Sequence, residues 1–252
     1  MNIKHLGRIL LTFLFLAGTP ALGWAAAAAE CGEVKCDKVK IDLGDKPSLQ
    51  NGARIFVNYC LSCHSAGYMR YNRMGHDLGI SEELVQENLL FAADKVGDLM
   101  KAVMPVADAK LWFGVAPPDL TLEARARSPE WIYTYLRTFY RDEKSPSGWN
   151  NAVFQNVAMP HVLYEWQGDQ RAVFKKDDRG VTHIDGFTVE RAGTMPKAEF
   201  DQAMRDLTNF LVYLGEPAKL DRRSLGTYVI LFLIVLAVLT YMLKKAYWKD
   251  VE

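Results

Sequence analysis

The sequence predicts a mainly α-helical domain with long loops and short β insertions, followed by one membrane-spanning helix. Three observations carry that expectation. Apolar residues recur at helical spacing between clear start and stop signals. β-like pieces are confined to residues 165–193, where glycines and aspartates separate them. Leu225 to Leu243 runs about 19 residues without a charge, close to the roughly 20 that cross a bilayer.

Taken in order, Pro47 and Ser48 open a helix that runs through Ile55, Phe56 and Tyr59. Gly52 inside it permits a close helix contact, although a helical glycine costs roughly 1 kcal/mol. Ser81 caps a second helix with Leu84, Val85, Leu89 and Leu90 at helical spacing. Asp94 to Val103 reads as a third. Ser128-Pro129-Glu130 combines an N-cap, a proline at the first helical position and an acid in the first turn. The helix it starts carries Trp131, Ile132, Tyr135, Leu136 and Phe139. Arg171–Lys175, Gly180–Ile184 and Phe187–Glu190 are the β-like pieces. Lys197 to Leu214 is the last domain helix, stopped by Gly215 and Pro217.

The ends set the compartment. Residues 1–29 read as a secretory signal: Lys4, His5 and Arg8, then an apolar stretch from Ile9 to Leu16, then alanine-rich cleavage sites. The expected division is signal 1–29, exported domain 30–221, anchor 222–244 and tail 245–252. Tyr228 and Tyr241 fall near the membrane interfaces. Lys244, Lys245 and Lys249 place the tail in the cytoplasm, which puts the domain in the periplasm. Arg222 and Arg223 oppose that vote, and the cleaved signal decides it. Setting aside Lys4, Arg8, Lys244, Lys245 and Lys249 from 30 basic residues, and Asp250 and Glu252 from 30 acidic ones, leaves the exported part near −3. That balance disfavours a nucleic-acid binder. Cys31 and Cys36 enter a compartment that permits disulfides. A short local bridge and an unused pair in a loose terminus both remain open.

The chemistry lies in Cys60-Leu61-Ser62-Cys63-His64. C-x-x-C-H is the attachment site of a c-type haem: two thiols bond one porphyrin edge and the next imidazole falls over the iron. A zinc site needs a second ligand pair, and a thioredoxin-like pair needs a βαβ setting. The sequence shows neither beside this motif. A single such motif implies one covalently bound haem c. For the second axial position, Met104, Met159 and Met195 each precede a proline, which helps to hold a loop residue. Spacing favours Met159, in the loop Asn150–His161 with Trp149 and Phe154 as packing, and Met195 comes next. His161 competes with both. His/Met ligation suits electron transfer, whereas an open position suits peroxide or gas chemistry.

Several further pieces stand in order: Gly52-Ala53-Arg54, Tyr68-Met69-Arg70-Tyr71, Ala116-Pro117-Pro118-Asp119-Leu120, Arg125-Ala126-Arg127, Met159-Pro160, and Asp206 to Glu216-Pro217 before Arg222-Arg223. With the single haem motif and anchor, this set resembles the cytochrome c1 family over nearly the whole mature chain. The resemblance implies a class I cytochrome c-like haem domain with insertions. It implies Met159 as the sixth ligand, Arg127 on a haem propionate and Pro118 lining the haem face. Trp131 stands where the family often has tyrosine, and Leu111-Trp112-Phe113 where many members have asparagine. The implied role is an electron-transfer subunit of ubiquinol–cytochrome c reductase, the cytochrome bc1 complex, in the bacterial inner membrane. Its partners would be cytochrome b, a Rieske iron–sulfur protein and a soluble or tethered cytochrome c, in a dimeric complex. No independent substrate-converting site is expected in the chain.

Overall fold

α1 (Lys46–Ile55) starts where Asp45 caps it by accepting from the Ser48 amide at 3.2 Å, and Pro47 occupies its first turn. The computed structural model describes residues 30–249. The expected signal, residues 1–29, and the last three residues of the tail lie outside them. α1 widens into a π-helical turn over Phe56–Cys60, and Leu61 donates five residues back to the Phe56 carbonyl at 3.0 Å. Such bulges concentrate at functional sites, and this one leads directly into the haem motif.

α8 (Lys197–Gly215) lies across α1, and their crossing is the centre of the fold. Phe56 and Phe210 meet there at 5.7 Å between ring centroids. A Cβ on Gly52 would run into the Asp206 carbonyl and lie 2.6 Å from Phe210 Cβ. The glycine therefore sets how near the two helices come, as its place in the sequence suggested. Beside it, Asp206 is buried but well bonded. Ser48 Oγ and Gln202 donate to one oxygen at 2.7 Å each, and Asn51 donates to the other at 2.8 Å. Those bonds offset the cost of removing a carboxylate from water.

The remaining elements wrap this pair. β1 (Ala66–Arg70) leads into α2 (Tyr71–Leu78), and Ser81 caps α3 (Glu82–Asn88) by accepting from Leu84 N at 3.4 Å. The helix expected over Asp94–Val103 does not form. That stretch holds turns and β2 (Leu99–Met100), which pairs with β1. The cause is the start of α2. Its first amides need partners, and Tyr71 N and Asn72 N take the Asp98 and Val96 carbonyls at 3.3 and 2.7 Å. Carbonyls used in that way are not free for a helix of their own.

α4 (Val106–Phe113) and the short α5 (Glu123–Ala126) follow. α6 (Pro129–Arg137) is capped as its sequence foretells, with Ser128 accepting from Trp131 N at 3.2 Å. β3 (Phe139–Arg141) pairs with β4 (Trp149–Asn151), and α7 (Tyr164–Gln167) precedes a hairpin of β5 (Gly168–Lys176) and β6 (Thr182–Ala192). The second and third β-like pieces are thus one strand, which continues past a bulge opposite Val173/Phe174. α9 (Lys219–Tyr247) spans 29 residues, none of them buried. At 1.5 Å per residue it is about 44 Å long, and it is long and apolar enough to cross a membrane.

Gly52→Ala should destabilise the protein by about 1–3 kcal/mol, the usual cost of overpacking. Denaturation of the detergent-solubilised protein checks this, and an unchanged midpoint would remove the close-approach argument.

Candidate haem site

Below the π-helical turn the chain closes tightly. The Cys60 carbonyl accepts from Cys63 N at 3.0 Å and from His64 N at 2.8 Å. This turn sets the two cysteines three residues apart with His64 immediately beyond. Neither thiol is in a disulfide, and burial, with the neighbouring Cys63, pushes the Cys60 thiol up to about 12.

His64 is fixed by a loop more than fifty residues away. Its Nδ1–H donates to the Pro118 carbonyl at 2.8 Å. Burial lowers its basicity and outweighs both that bond and the negative charges of Glu123 and Asp119. The ring is therefore held neutral with Nδ1 occupied by its proton, and Nε2 keeps a lone pair for a metal. The Pro118 carbonyl is itself held by its neighbour. Asp119 accepts from Gly67 N at 2.8 Å through one oxygen, and from Thr121 N at 2.8 Å and Thr121 Oγ at 2.5 Å through the other. Leu120 N reaches the Ser65 carbonyl at 2.8 Å. The aspartate of the APPDL segment is thus a clamp on the motif.

Met159 belongs to a second cluster, packed with Phe139, Trp149, Val157 and Tyr135. Tyr135 OH donates to its sulfur at 3.3 Å. Burial pushes the Tyr135 hydroxyl up, so it stays protonated and able to donate. Tyr135 stands out from sequence only as an apolar-side helix residue; the signal for more is Trp131 four residues earlier, stacked on it at 5.0 Å and 10°. The loop before Met159 is tied by asparagines. Asn151 Oδ1 accepts from Val153 N at 2.9 Å and Phe154 N at 3.2 Å, and Asn150 Oδ1 accepts from Asn156 N at 2.8 Å. His161 is buried between Phe139 and Trp149, and burial lowers it to about 4. Phe154, expected as cofactor packing, is 47% exposed.

Arg127 joins the two clusters. It sits 3.6 Å from Glu123, whose charge reaches His64, and its guanidinium lies over Trp131 at 4.8 Å and Phe154 at 5.8 Å. Of the other methionines, Met104 borders the motif through its amide on the Ser62 carbonyl at 3.2 Å. Met195 packs against the main core, with its amide on the Trp166 carbonyl.

The donor set fits a covalently attached haem: two free thiols at the required spacing, a neutral imidazole oriented from behind, and a thioether in an aromatic cluster. These are the features of a c-type cytochrome, and the apolar helix that follows is long and apolar enough to anchor it in a membrane. The model of the Cytochrome C1 family matches residues 93–251, and the chain belongs to that family. It is 50% identical to cytochrome c1 of Allochromatium vinosum, over 97% of this chain and 98% of that one. It is also 50% identical to a protein of Nitrosomonas europaea named ammonia monooxygenase gamma subunit, over 87% of this chain and 90% of that one. Cytochrome b/c1 of Bradyrhizobium diazoefficiens is 28% identical over 82% of this chain and 34% of its own length. Membership makes this an electron-transfer haem subunit of the bc1 complex, a redox subunit that carries one covalently bound haem c.

Asp119→Ala should leave haem attached but destabilise the protein by about 1–3 kcal/mol, because it strands donors that now have a partner. It should also raise the midpoint potential, since a loosened Pro118 carbonyl makes His64 a weaker donor. Denaturation and redox titration read the two effects.

Proposed function

We propose that this chain accepts single electrons from a Rieske iron–sulfur protein and delivers them to a soluble or tethered cytochrome c. Cytochrome b would be its membrane neighbour, within a dimeric assembly. What supports this reading is that His64 is neutral and aimed by Pro118, while Met159 is held by Tyr135 in an aromatic cluster of its own. When bound, haem supplies one-electron chemistry at iron. His64 Nε2 and the Met159 thioether would hold that iron, and Cys60 and Cys63 would hold the ring. A thioether opposite imidazole raises the potential and closes the metal to exogenous ligands, which suits a carrier.

Arg127 would meet a haem propionate. Its guanidinium is about half exposed, and its ion pair with Glu123 is long at 3.6 Å. It therefore has donors to spare for a charge-assisted pair. Pro118 would line the haem face beside the carbonyl it gives to His64. The domain, residues 30–221, would be of class I cytochrome c type with insertions. It would stand in the periplasm, with the span 222–244 leading to a cytoplasmic tail, as Lys244, Lys245 and Lys249 favour.

Two measurements test this. Met159→Ala should lower the midpoint potential and let carbon monoxide bind the reduced protein, whereas Met195→Ala should do neither; the reverse pattern would move the ligand to Met195. Solubilised membranes, purified through this chain, should show b-type and c-type absorption bands together. A c-type spectrum alone would favour a carrier that serves another oxidase or reductase.

A further inference from the structure

Cys31 and Cys36 do form a disulfide, with Cα atoms 5.2 Å apart, and Cys31 is buried. The ring they close rests on the start of the Met159 loop. Glu33 N donates to the Ala152 carbonyl at 3.2 Å. Gly32 has φ +59°, and a Cβ there would lie 2.6 Å from the Val153 carbonyl oxygen and 2.8 Å from that of Ala152. Val34 packs into the cluster of Tyr140, Ala152 and Ile184. Just beyond the ring, Asp37 N donates to Thr134 Oγ at 2.8 Å, and its carboxylate pairs with Arg137. The ring is therefore tied to α6 as well, through residues on either side of Tyr135.

Ala152 and Val153 begin the stretch that ends at Met159. Once past the Asn151 and Asn150 contacts, that stretch is irregular backbone. A segment of this kind stays in one conformation only if its ends are held against conformational entropy. The ring spans only six residues, so it removes less entropy from the unfolded chain than a long loop would. Its effect falls mainly on what it touches.

We propose that the Cys31–Cys36 ring is a positioning element that holds the entry of the 152–159 loop and thereby keeps the Met159 thioether in place. This rests on Met159 being the sixth ligand. The ring touches no reacting atom and acts only through the loop.

The test uses the full chain in its membrane complex. One variant is the double substitution Cys31→Ser/Cys36→Ser. The second, Gly32→Ala, keeps the disulfide but pushes a methyl group onto the Val153 carbonyl at a strained φ. Carbon monoxide is added to the reduced protein, and the midpoint potential is measured alongside. Both variants should bind carbon monoxide roughly tenfold faster than the parent or more, in proportion to the larger open fraction, with a lowered potential. Gly52→Ala, destabilised at a crossing away from the loop, should stay inert. Ring variants that stay inert with unchanged potentials, while Met159→Ala opens the iron, overturn the ring's role alone. If Met159→Ala is itself inert, the ligand reading fails first. If neither ring variant accumulates haem-loaded protein, the proposal is also overturned, because the ring then serves folding as a whole.

Discussion

The hydrogen bond from His64 to the Pro118 carbonyl is the constraint on which the site depends. An imidazole next to two tethered cysteines has its position set by the chain, but not its tautomer or its tilt. A carbonyl can only accept, so at 2.8 Å it requires the proton on Nδ1 and leaves Nε2 free. Burial adds the second condition, neutrality. The Asp119 clamp then makes the carbonyl a fixed partner, because its two oxygens tie Gly67 on the motif side to Thr121 on the loop side. With the Leu120 amide on the Ser65 carbonyl, three short contacts join residues 64–67 to residues 118–121 across more than fifty positions.

The Met159 side is built differently. No regular element presents this side chain. Its loop is held by asparagine side chains that stand in for absent backbone partners, by the Tyr135 hydroxyl, and at its entry by the Cys31–Cys36 ring. Asparagine suits this work because it offers donor and acceptor together and carries no charge to desolvate. Asn151 shows the economy of the arrangement: its oxygen takes two loop amides while its nitrogen donates to the Tyr135 carbonyl at 2.8 Å. Backbone order and side-chain order at Tyr135 are thereby coupled.

What the sequence made legible follows the range of the interactions involved. The capped helices at Ser81 and Ser128 and the long apolar helix rest on local sequence, and each appears where local chemistry puts it; Gly52 marked a close approach, but its partners Asp206 and Phe210 are distant in sequence and came from the fold. The error over Asp94–Val103 has a long-range cause, the capping of α2 by the Val96 and Asp98 carbonyls. The short helices α2, α4, α5 and α7 carry weak local signals and went unread. At the site, the C-x-x-C-H spacing declared two thiols and a histidine. The Asp119 clamp, the Tyr135 contact and the ring's seat on Ala152 and Val153 all join segments distant in sequence, and no spacing rule reports them. Resemblance marked Pro118 and Arg127, but the contacts that bear on them came from the fold.

This contrast has a mechanical consequence. His64 is one residue from a covalent attachment point, so it cannot move far from the iron it would hold while the ring stays bonded. Met159 has no such tether, and its approach would depend on a loop held by non-covalent contacts, those of the disulfide ring at its entry included. Opening the Met159 side leaves the main core intact, because Phe56, Phe210 and the Asp206 network lie at the α1–α8 crossing and not in the loop. Local opening therefore needs less free energy than global unfolding. With Met159 on the iron as proposed, such a carrier would keep its metal closed only as long as Tyr135 and the loop contacts persist. On that reading the polar density around residues 150–159 would be a requirement of function and not a packing accident.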